Sequence, residues 1–471
     1  MKFMTLTFLV MMILVGCSHK KEEKPGAVPV LTEAYTYGFP LVLMDLTREE
    51  MTNVARADSK KVRAPMNQFV HTTAIPQVNS KQMTRPTQDT LLSSAWIDLA
   101  SGPQVIEVPN TKGRYYLMSM LDGWSNVYAV AGKRTLGTSA KKIVLIGPKW
   151  NGSIPSGVEL VRSPTDLTWI VGRIEVKGAQ DAKTVASLQK NFKLYPLENF
   201  GKKYTAPRGS RNPALGSGSP LEKIFALSTE DYFNRLNRLM LSNPPSNLDK
   251  DAIAKFAPLG IAPGARFSAD AFPEKDRSAI NNIPQVSKAN FENNRAVIGR
   301  EMNGWIMPQK SIGSYVNNYN LRAHVAYSAL GANLPLDLMS PTALTDGNGD
   351  KLSGSKNYIL HFNKDQLPMV KGFWSVTVYG QDSYFAKNPL KRYSLSSKGK
   401  LKYNRDGSLD IYLQNSNPGA EKKANWIPTP AGDFSVTARL YSPAPEHLDE
   451  KYALPPIMPS MNLAPVSMVE E

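Results

Sequence analysis

The sequence predicts an α+β chain in which β predominates: two antiparallel β-sandwich or jelly-roll-like domains joined by a helical region. Three observations lead there. Short runs that alternate apolar and polar residues, broken by Gly, Pro, Asn and Asp, fill most of residues 31–197 and return over 334–445, the period-2 signature of half-buried strands. Between them, over 198–333, apolar residues recur at helical spacing instead. The chain is 471 residues long, with 42% hydrophobic and 20% charged residues. That is enough to build two or three cores and too apolar for a disordered chain.

The first segment belongs to neither domain. Lys2 is followed by thirteen uncharged residues, Phe3 to Val15, then by Gly16, Cys17, Ser18 and a charged run from Lys20 to Lys24. A run this short falls below the about 20 residues of a spanning helix and suits the apolar stretch of an export signal. Leu14-Val15-Gly16-Cys17 resembles a bacterial lipobox, whose cysteine is lipidated before cleavage ahead of it. Residues 1–16 are therefore expected to be a signal peptide and 17–30 a flexible lipidated tether, with the membrane as partner through the lipid on Cys17. Ser18, rather than Asp, after the cysteine points to the outer membrane, facing periplasm or surface. Cys17 is the only cysteine, so its acylation leaves no disulfide, no thiolate zinc site and no thiol nucleophile.

The first β-rich domain, 31–197, opens with a helix over 31–51 in which Ala34, Tyr37, Leu41 and Met44 recur at helical spacing despite Pro40. Strands follow over 94–99, 104–108, 114–120, 126–131, 142–146 and 168–176, and a helix over 181–192 capped by Asp181 closes the domain. In the connecting region, 198–333, Ser228 to Asp231 form a capping arrangement ahead of Tyr232, Phe233, Leu236 and Met240. A second helical period runs over 312–330 through Tyr315, Tyr319, Ala323 and Ala326, stopped by Gly331. The second β-rich domain, 334–445, alternates over 357–362, 373–379, 409–414 and 434–441. A Pro-rich tail, 446–471, is expected to cross the surface as irregular chain.

Long stretches resemble a known pair of domains. LTEAYTYGFPLVLMD at 31–45, RPTQDTLLSSAWIDL at 85–99, GRYYLMSMLDGWSNVY at 113–128 and RSPTDLTWIVGR at 162–173 are similar to the domain of unknown function 1254. LGANLP at 330–335, YILHFNKDQLP at 358–368, FWSVTVYGQDSYFAKNPLKRY at 373–393 and residues 401–441 are similar to its usual partner, the domain of unknown function 1214. The resemblance covers most of 31–445 and implies β-rich, sandwich- or jelly-roll-like folds linked by helices, with no family-wide activity. Members usually carry Asn and Tyr where this chain has Thr87 and Leu92, which puts in doubt any shared activity using that amide and phenol. Arg85, Asp89 and Thr90 remain.

The candidate chemistry is thin. Asp122, Gly123, Trp124, Ser125 and Asn126 gather a carboxylate, an indole and an amide at a strand end, so Trp124 and Asn126 are candidate sugar-binding groups. The catalytic candidates are Arg85, Asp89 and Asp122, with the two carboxyls as an acid/base pair; glycoside hydrolysis needs such a pair about 5–10 Å apart. Asp382, Asn388 and Arg392, near Trp374 and Tyr379, form the equivalent ligand-binding cluster in the second domain, against a structural reading in which Trp374 is core and the polar groups make a network. His71, His324 and His361 lack HxH or HExxH spacing, and the Asp346–Asp350 turn has Asn357 where a calcium loop needs an acid. No metal site and no cofactor is expected. Neither a G-x-S-x-G elbow nor a phosphate-cradling glycine loop occurs, and the S-x-x-K matches at Ser353 and Ser397 fall in turns. Lys and Arg number 56 against 40 Asp and Glu, a net charge of +16, but they are scattered and no nucleic-acid module is present. That balance suits anionic lipid or acidic glycan. The expected function is a membrane-anchored cell-envelope lipoprotein that binds glycan, lipid or protein; the alternative is a periplasmic hydrolase or lyase using the carboxylate pair.

Overall fold

The computed structural model describes residues 26–460 apart from 79, 81–83 and 450. The expected leader 1–16, Cys17, Ser18 and the end of the tail lie outside the described residues. The class is α+β, with 30% helix and 25% strand. No helix among the described residues is long and apolar enough to cross a membrane.

Helix α1 (Ala27–Thr52) comes first, and it is buried on nearly every side: Leu31, Tyr35, Tyr37, Phe39, Leu41 and Val42 are all closed to solvent. A helix apolar all round belongs inside a core rather than on a sheet face. Its start at Ala27 shortens the expected tether, because Val28 and Val30 already pack into that core.

The first sandwich follows. Its strands are β1 (Val70–His71), β2 (Thr90–Asp98), β3 (Gln104–Val108), β4 (Tyr116–Asp122), β5 (Val127–Gly132), β6 (Lys141–Ile146), β7 (Glu159–Arg162), β8 (Leu167–Glu175) and β9 (Lys193–Pro196), with the short helices α2 (Lys133–Leu136) and α3 (Ala182–Gln189) between them. One sheet runs β1-β2-β8-β4-β5 and the other β7-β6-β3-β9. Leu91, Met118, Ile170 and Ile174 of the first meet Ile106, Val108, Ile143 and Leu194 of the second. Alternation placed these side chains on one face of each sheet, and burial of that face sets the register. Pairing is antiparallel except between β6 and β7. Asp181 does not cap α3 as the sequence suggests; its carboxylate accepts from Arg114 at 2.6 Å and from the Lys177 N–H instead.

The helical layer closes around α1. Helices α4 (Pro220–Ala226), α5 (Thr229–Ser242), α6 (Lys250–Phe256), α7 (Glu274–Asn281), α8 (Ile283–Asn293) and α9 (Tyr319–Ala329) all touch it. Gly38 lies where α5 crosses, and a Cβ there would collide with the Leu236 methyls. Most of the N-terminal helix therefore shares a core with the connecting region, while Met44 and Met51 near its end pack against Trp96, Leu121 and Trp169 of the first sandwich. Ser228 caps α5, its Oγ accepting from the Asp231 N–H at 3.0 Å. Helix α9 starts at Tyr319 rather than 312, because Gly313 and Val316 hold φ of 80° and 54° and Asn318 supplies the cap.

The second sandwich draws on more chain than its alternation suggested. It comprises β10 (Gly299–Met302), β11 (Trp305–Pro308), β12 (Leu338–Met339), β13 (Thr342–Ala343), β14 (Tyr358–Phe362), β15 (Trp374–Gly380), β16 (Ser394–Ser396), β17 (Leu409–Gln414), β18 (Trp426–Pro428), β19 (Phe434–Tyr441) and β20 (Ile457–Pro459). One sheet runs β10-β11-β13-β19-β15-β16 with β12 on β19, and the other β18-β17-β14-β20. Val376, Val436 and Leu440 face Tyr358, Leu360 and Ile411 across the core. The β10–β11 hairpin arises inside the stretch expected to be helical. Its two-residue turn is Asn303-Gly304, with φ of 53° and 80°, the strongest short hairpin signal there is. The tail adds β20, antiparallel to β14, where irregular chain was expected.

Candidate functional site

Arg85 and Asp89 lie on the segment entering β2, and the fold presses that segment onto β15 and β19 of the second sandwich. Asp89 is buried, and one carboxylate oxygen accepts from Ser375 Oγ at 2.6 Å and from the Tyr441 hydroxyl at 3.0 Å. Burial first, and then the Asp89 charge, push the Tyr441 phenol well above its ordinary pKa. Arg85 donates to Ser435 Oγ at 3.2 Å and Thr437 Oγ1 at 3.1 Å, and its guanidinium sits 5.6 Å from the Tyr379 ring centre. Its backbone oxygen accepts from buried Arg439 at 2.8 Å. Two ion pairs flank the cluster, Lys398 on buried Glu175 and Arg134 on buried Asp337 at 2.7 Å. Thr87 Oγ1, one of the departures from the family pattern, accepts from the Asp89 N–H at 3.1 Å. Leu92 contributes backbone instead, bonding Thr72 and Gln189. The cluster joins the two sandwiches.

Asp122 is elsewhere. It ends β4 opposite Thr168, whereas Thr90, next to Asp89, pairs with Glu175 seven residues along β8. At about 3.3 Å per residue the two carboxylates are about 20 Å apart, far beyond the reach of an acid/base pair. The Asp122 oxygens accept from the Trp124 and Asn126 N–H groups, each at 2.9 Å, and from the Asn126 amide. Burial raises its pKa, against these bonds and the charge of Arg322.

Trp124 does not reach the surface as a sugar platform. It is 2% exposed, tilts against Tyr37 at 5.0 Å, and donates its indole N–H to Asn243 O at 3.2 Å. The guanidinium of Arg322 is boxed between the rings of Trp124, Tyr319 and Tyr37 at 5.1, 5.2 and 5.4 Å. The hydroxyls of Tyr37 and Tyr319 both donate to Asp249. Neither Arg322 nor Asp249 stands out in sequence, since each sits among other polar residues of its segment, Asn320 and His324 around the one and Lys250 and Asp251 after the other.

In the second domain Trp374 and Tyr379 are core. The Asn388 amide and Arg392 backbone close a turn on each other at 3.0 and 3.1 Å, and the Arg392 guanidinium donates to the carbonyls of Lys423 and Trp426. Asp382 is exposed and accepts from the Tyr384 N–H. The three do not converge on one cleft. Asp346 likewise folds its own turn, accepting from the Asn348 and Asp350 N–H groups. Among the described residues no three metal-ligating side chains cluster.

His361 is a surface group with a pH signature. Its Nδ1 lies 2.6 Å from Asp410 Oδ1 and its Nε2 3.1 Å from Asn363 Oδ1; only the imidazolium donates to both. Asp410 accordingly raises its pKa. The pair's contribution to stability is present below the ordinary histidine pKa of about 6.5 and is lost as pH rises through the raised folded value. An NMR titration is expected to place His361 above 6.5, and Asp410→Asn to move it down; an unchanged midpoint would refute the pairing.

Two clefts escaped the sequence reading. One, of about 500 Å³, lies where the end of α1 meets residues 207–212, with Arg48, Glu49, Asn53, Gln68 and Arg208 on its walls. The other, of about 290 Å³, is lined by Arg300, Met307, Lys310, Met339, His447 and Tyr452 among others. His447 sits in the segment expected to be irregular tail, and without the β10–β11 hairpin nothing places Arg300 beside it.

The first sandwich and the second each match a described family. "Protein of unknown function (DUF1254)" matches residues 66–196 and "Protein of unknown function (DUF1214)" matches 337–445. The chain belongs to the paired DUF1254–DUF1214 family. The DUF1254 match spans the strands from β1 to β9, while the DUF1214 match omits β10, β11 and β20, so the second cleft is built partly outside both domains. A crystal structure of the VPA0106 protein from Vibrio parahaemolyticus is similar at 22% identity and a TM-score of 0.69, over 92% of this chain and 100% of that one. It shares the fold. An uncharacterised protein from Burkholderia cenocepacia aligns at 13% identity and a TM-score of 0.43, over 91% of this chain and 89% of that one. No protein of curated function matches the chain.

Proposed function

We infer that this DUF1254–DUF1214 chain is an exported lipoprotein, anchored through Cys17 at the outer membrane, that binds a glycan, lipid or protein of the cell envelope without cleaving it. The anchor is supported by Leu14-Val15-Gly16-Cys17 at the end of an uncharged run, about ten residues ahead of the first helix. Three acyl chains on one terminus pass the two-signal threshold for stable attachment. The observation that carries binding over hydrolysis is the separation of Asp89 from Asp122 by about 20 Å, each held in its own network. The carboxylate-pair alternative loses its geometry.

The anchor is tested by growth with labelled palmitate. The wild-type chain is expected to take up label and Cys17→Ala to take up none; equal labelling would overturn the assignment.

A further inference from the structure

The 500 Å³ cleft lies at the C-terminal end of α1, where residues 53–55 and 209–212 run side by side in opposite directions. The later segment is held through its backbone. Asn53 donates its amide to Asn212 O at 2.9 Å and accepts from the Asn212 N–H at 2.6 Å, the Gly209 N–H donates to Ala55 O at 3.1 Å, and Gln68 donates to Pro207 O at 2.8 Å. A Cβ at 209 would stand 2.5 Å from Val54 O, so only glycine lets the chain seat this closely. Seated this way, the segment keeps its charged side chains open.

Those charges are of one sign. Between Glu198 and Glu222 the sequence carries Lys202, Lys203, Arg208 and Arg211 and no acid. Arg208 is an exposed residue of the cleft lining and makes no hydrogen bond or ion pair among the described residues. Arg56 and Arg211, exposed and equally unpaired, flank the cleft without lining it and add to its positive field. The acid on the lining, Glu49, is already neutralised by Arg235 at 2.8 Å and Arg48 at 3.5 Å. On two further lining residues the Ser210 hydroxyl and the Gln68 amide oxygen bond nothing else among the described residues. A guanidinium takes a carboxylate or a phosphate bidentately, and hydroxyl and amide groups suit the hydroxyls of a sugar. The volume falls within the range of small-ligand sites, about 300–1,000 Å³. At 1.5 Å per residue, α1 sets the cleft about 39 Å from Ala27, where the proposed tether enters, which favours a saccharide over the lipid headgroups around the anchor.

We propose that this cleft binds a short acidic saccharide, its carboxylate or phosphate on the Arg208 guanidinium and its hydroxyls against Ser210 and Gln68. The inference rests on the binding reading above and names its ligand class. Failed palmitate labelling would remove the anchor and leave this cleft standing, and failure of the experiment below would remove the saccharide and leave the anchor.

The test is calorimetric titration of the purified full chain in detergent with digalacturonate and with maltose phosphate, against maltose and inorganic sulfate. At least one of the charged disaccharides is expected to bind at one site per chain, and which of them binds identifies the anionic group as carboxylate or phosphate. Arg208→Gln is expected to weaken it about tenfold or more, the loss of a charge-assisted hydrogen bond. The melting temperature should not move, because Arg208 bonds nothing in the described protein. Arg405→Gln removes the same charge from an exposed loop of the second sandwich and is expected to leave the affinity as it was. No binding of either charged disaccharide, maltose or sulfate binding as tightly as they do, or equal weakening by Arg208→Gln and Arg405→Gln would each overturn the proposal.

Discussion

Replacing Asp89 with Asn is expected to destabilise the protein by about 3–5 kcal/mol, the range for removing one member of a buried charge network. The side chain is 5% exposed and holds Ser375 and Tyr441 across the junction of the two sandwiches. Its charge also acts on the buried guanidinium groups of Arg173 and Arg439. An amide keeps the shape and one acceptor oxygen but not the charge, so two buried cations lose their counterion. Because the contacts cross between domains, calorimetry is expected to show the lowest-temperature transition moving down and separating from the rest, rather than one uniform shift. Asp382→Asn, on the exposed turn, is the matched control and should change stability by less than about 0.5 kcal/mol. A loss below about 1 kcal/mol for Asp89→Asn would show that the network does not hold the sandwiches together.

Trp124→Ala is expected to cost about 3–5 kcal/mol as well, by a different mechanism: a large buried side chain removed from a close-packed site. The indole fills the space between Tyr37 and Arg322 and satisfies the Asn243 carbonyl. Its loss opens a cavity where α1, α9 and the first sandwich meet and strips one face from the Arg322 box. Trp124→Phe should recover most of the packing and lose the hydrogen bond, for a net cost of about 1–2 kcal/mol. Denaturant midpoints for the two variants check the ordering. If Trp124 were a sugar platform, both substitutions would leave stability near wild type, and the buried position assigned to it would be wrong.

The strands were legible because their cause is local. Leu409, Ile411 and Leu413 alternate with Asp410 and Tyr412, and alternation of that kind has one stable outcome when a face is buried. The Ser228 cap was legible for the same reason: hydroxyl and amide are three residues apart. The Asn303-Gly304 turn was equally local, yet it sat in a stretch whose average character is helical, and the average masked it. Asp181 shows the converse. Its position suggested a cap, but Arg114, 67 residues away, takes the carboxylate.

The candidate sites failed where they depended on distance in space. Asp89 and Asp122 are 33 positions apart in sequence and lie at opposite ends of one sheet, because β2 and β4 both pair with β8 and their ends sit at its two extremes. Arg322, Asp249 and His447 carried no sequence signal, since each is one polar residue among several in its segment and its partners lie far along the chain.

By itself, then, the sequence determined the two alternating β regions, the helical stretch between them, and the placing of the lone Cys17 behind an uncharged apolar run. Each of these follows from residues within a few positions of one another. The tertiary structure alone decided that α1 is the centre of the helical layer, that Asp89 meets Tyr441 across 352 positions, and that His447 and Tyr452 come to rest beside Arg300. Those contacts depend on which sheets pair and how they pack, and long-range packing is selected by the burial of whole faces rather than by any local run of residues.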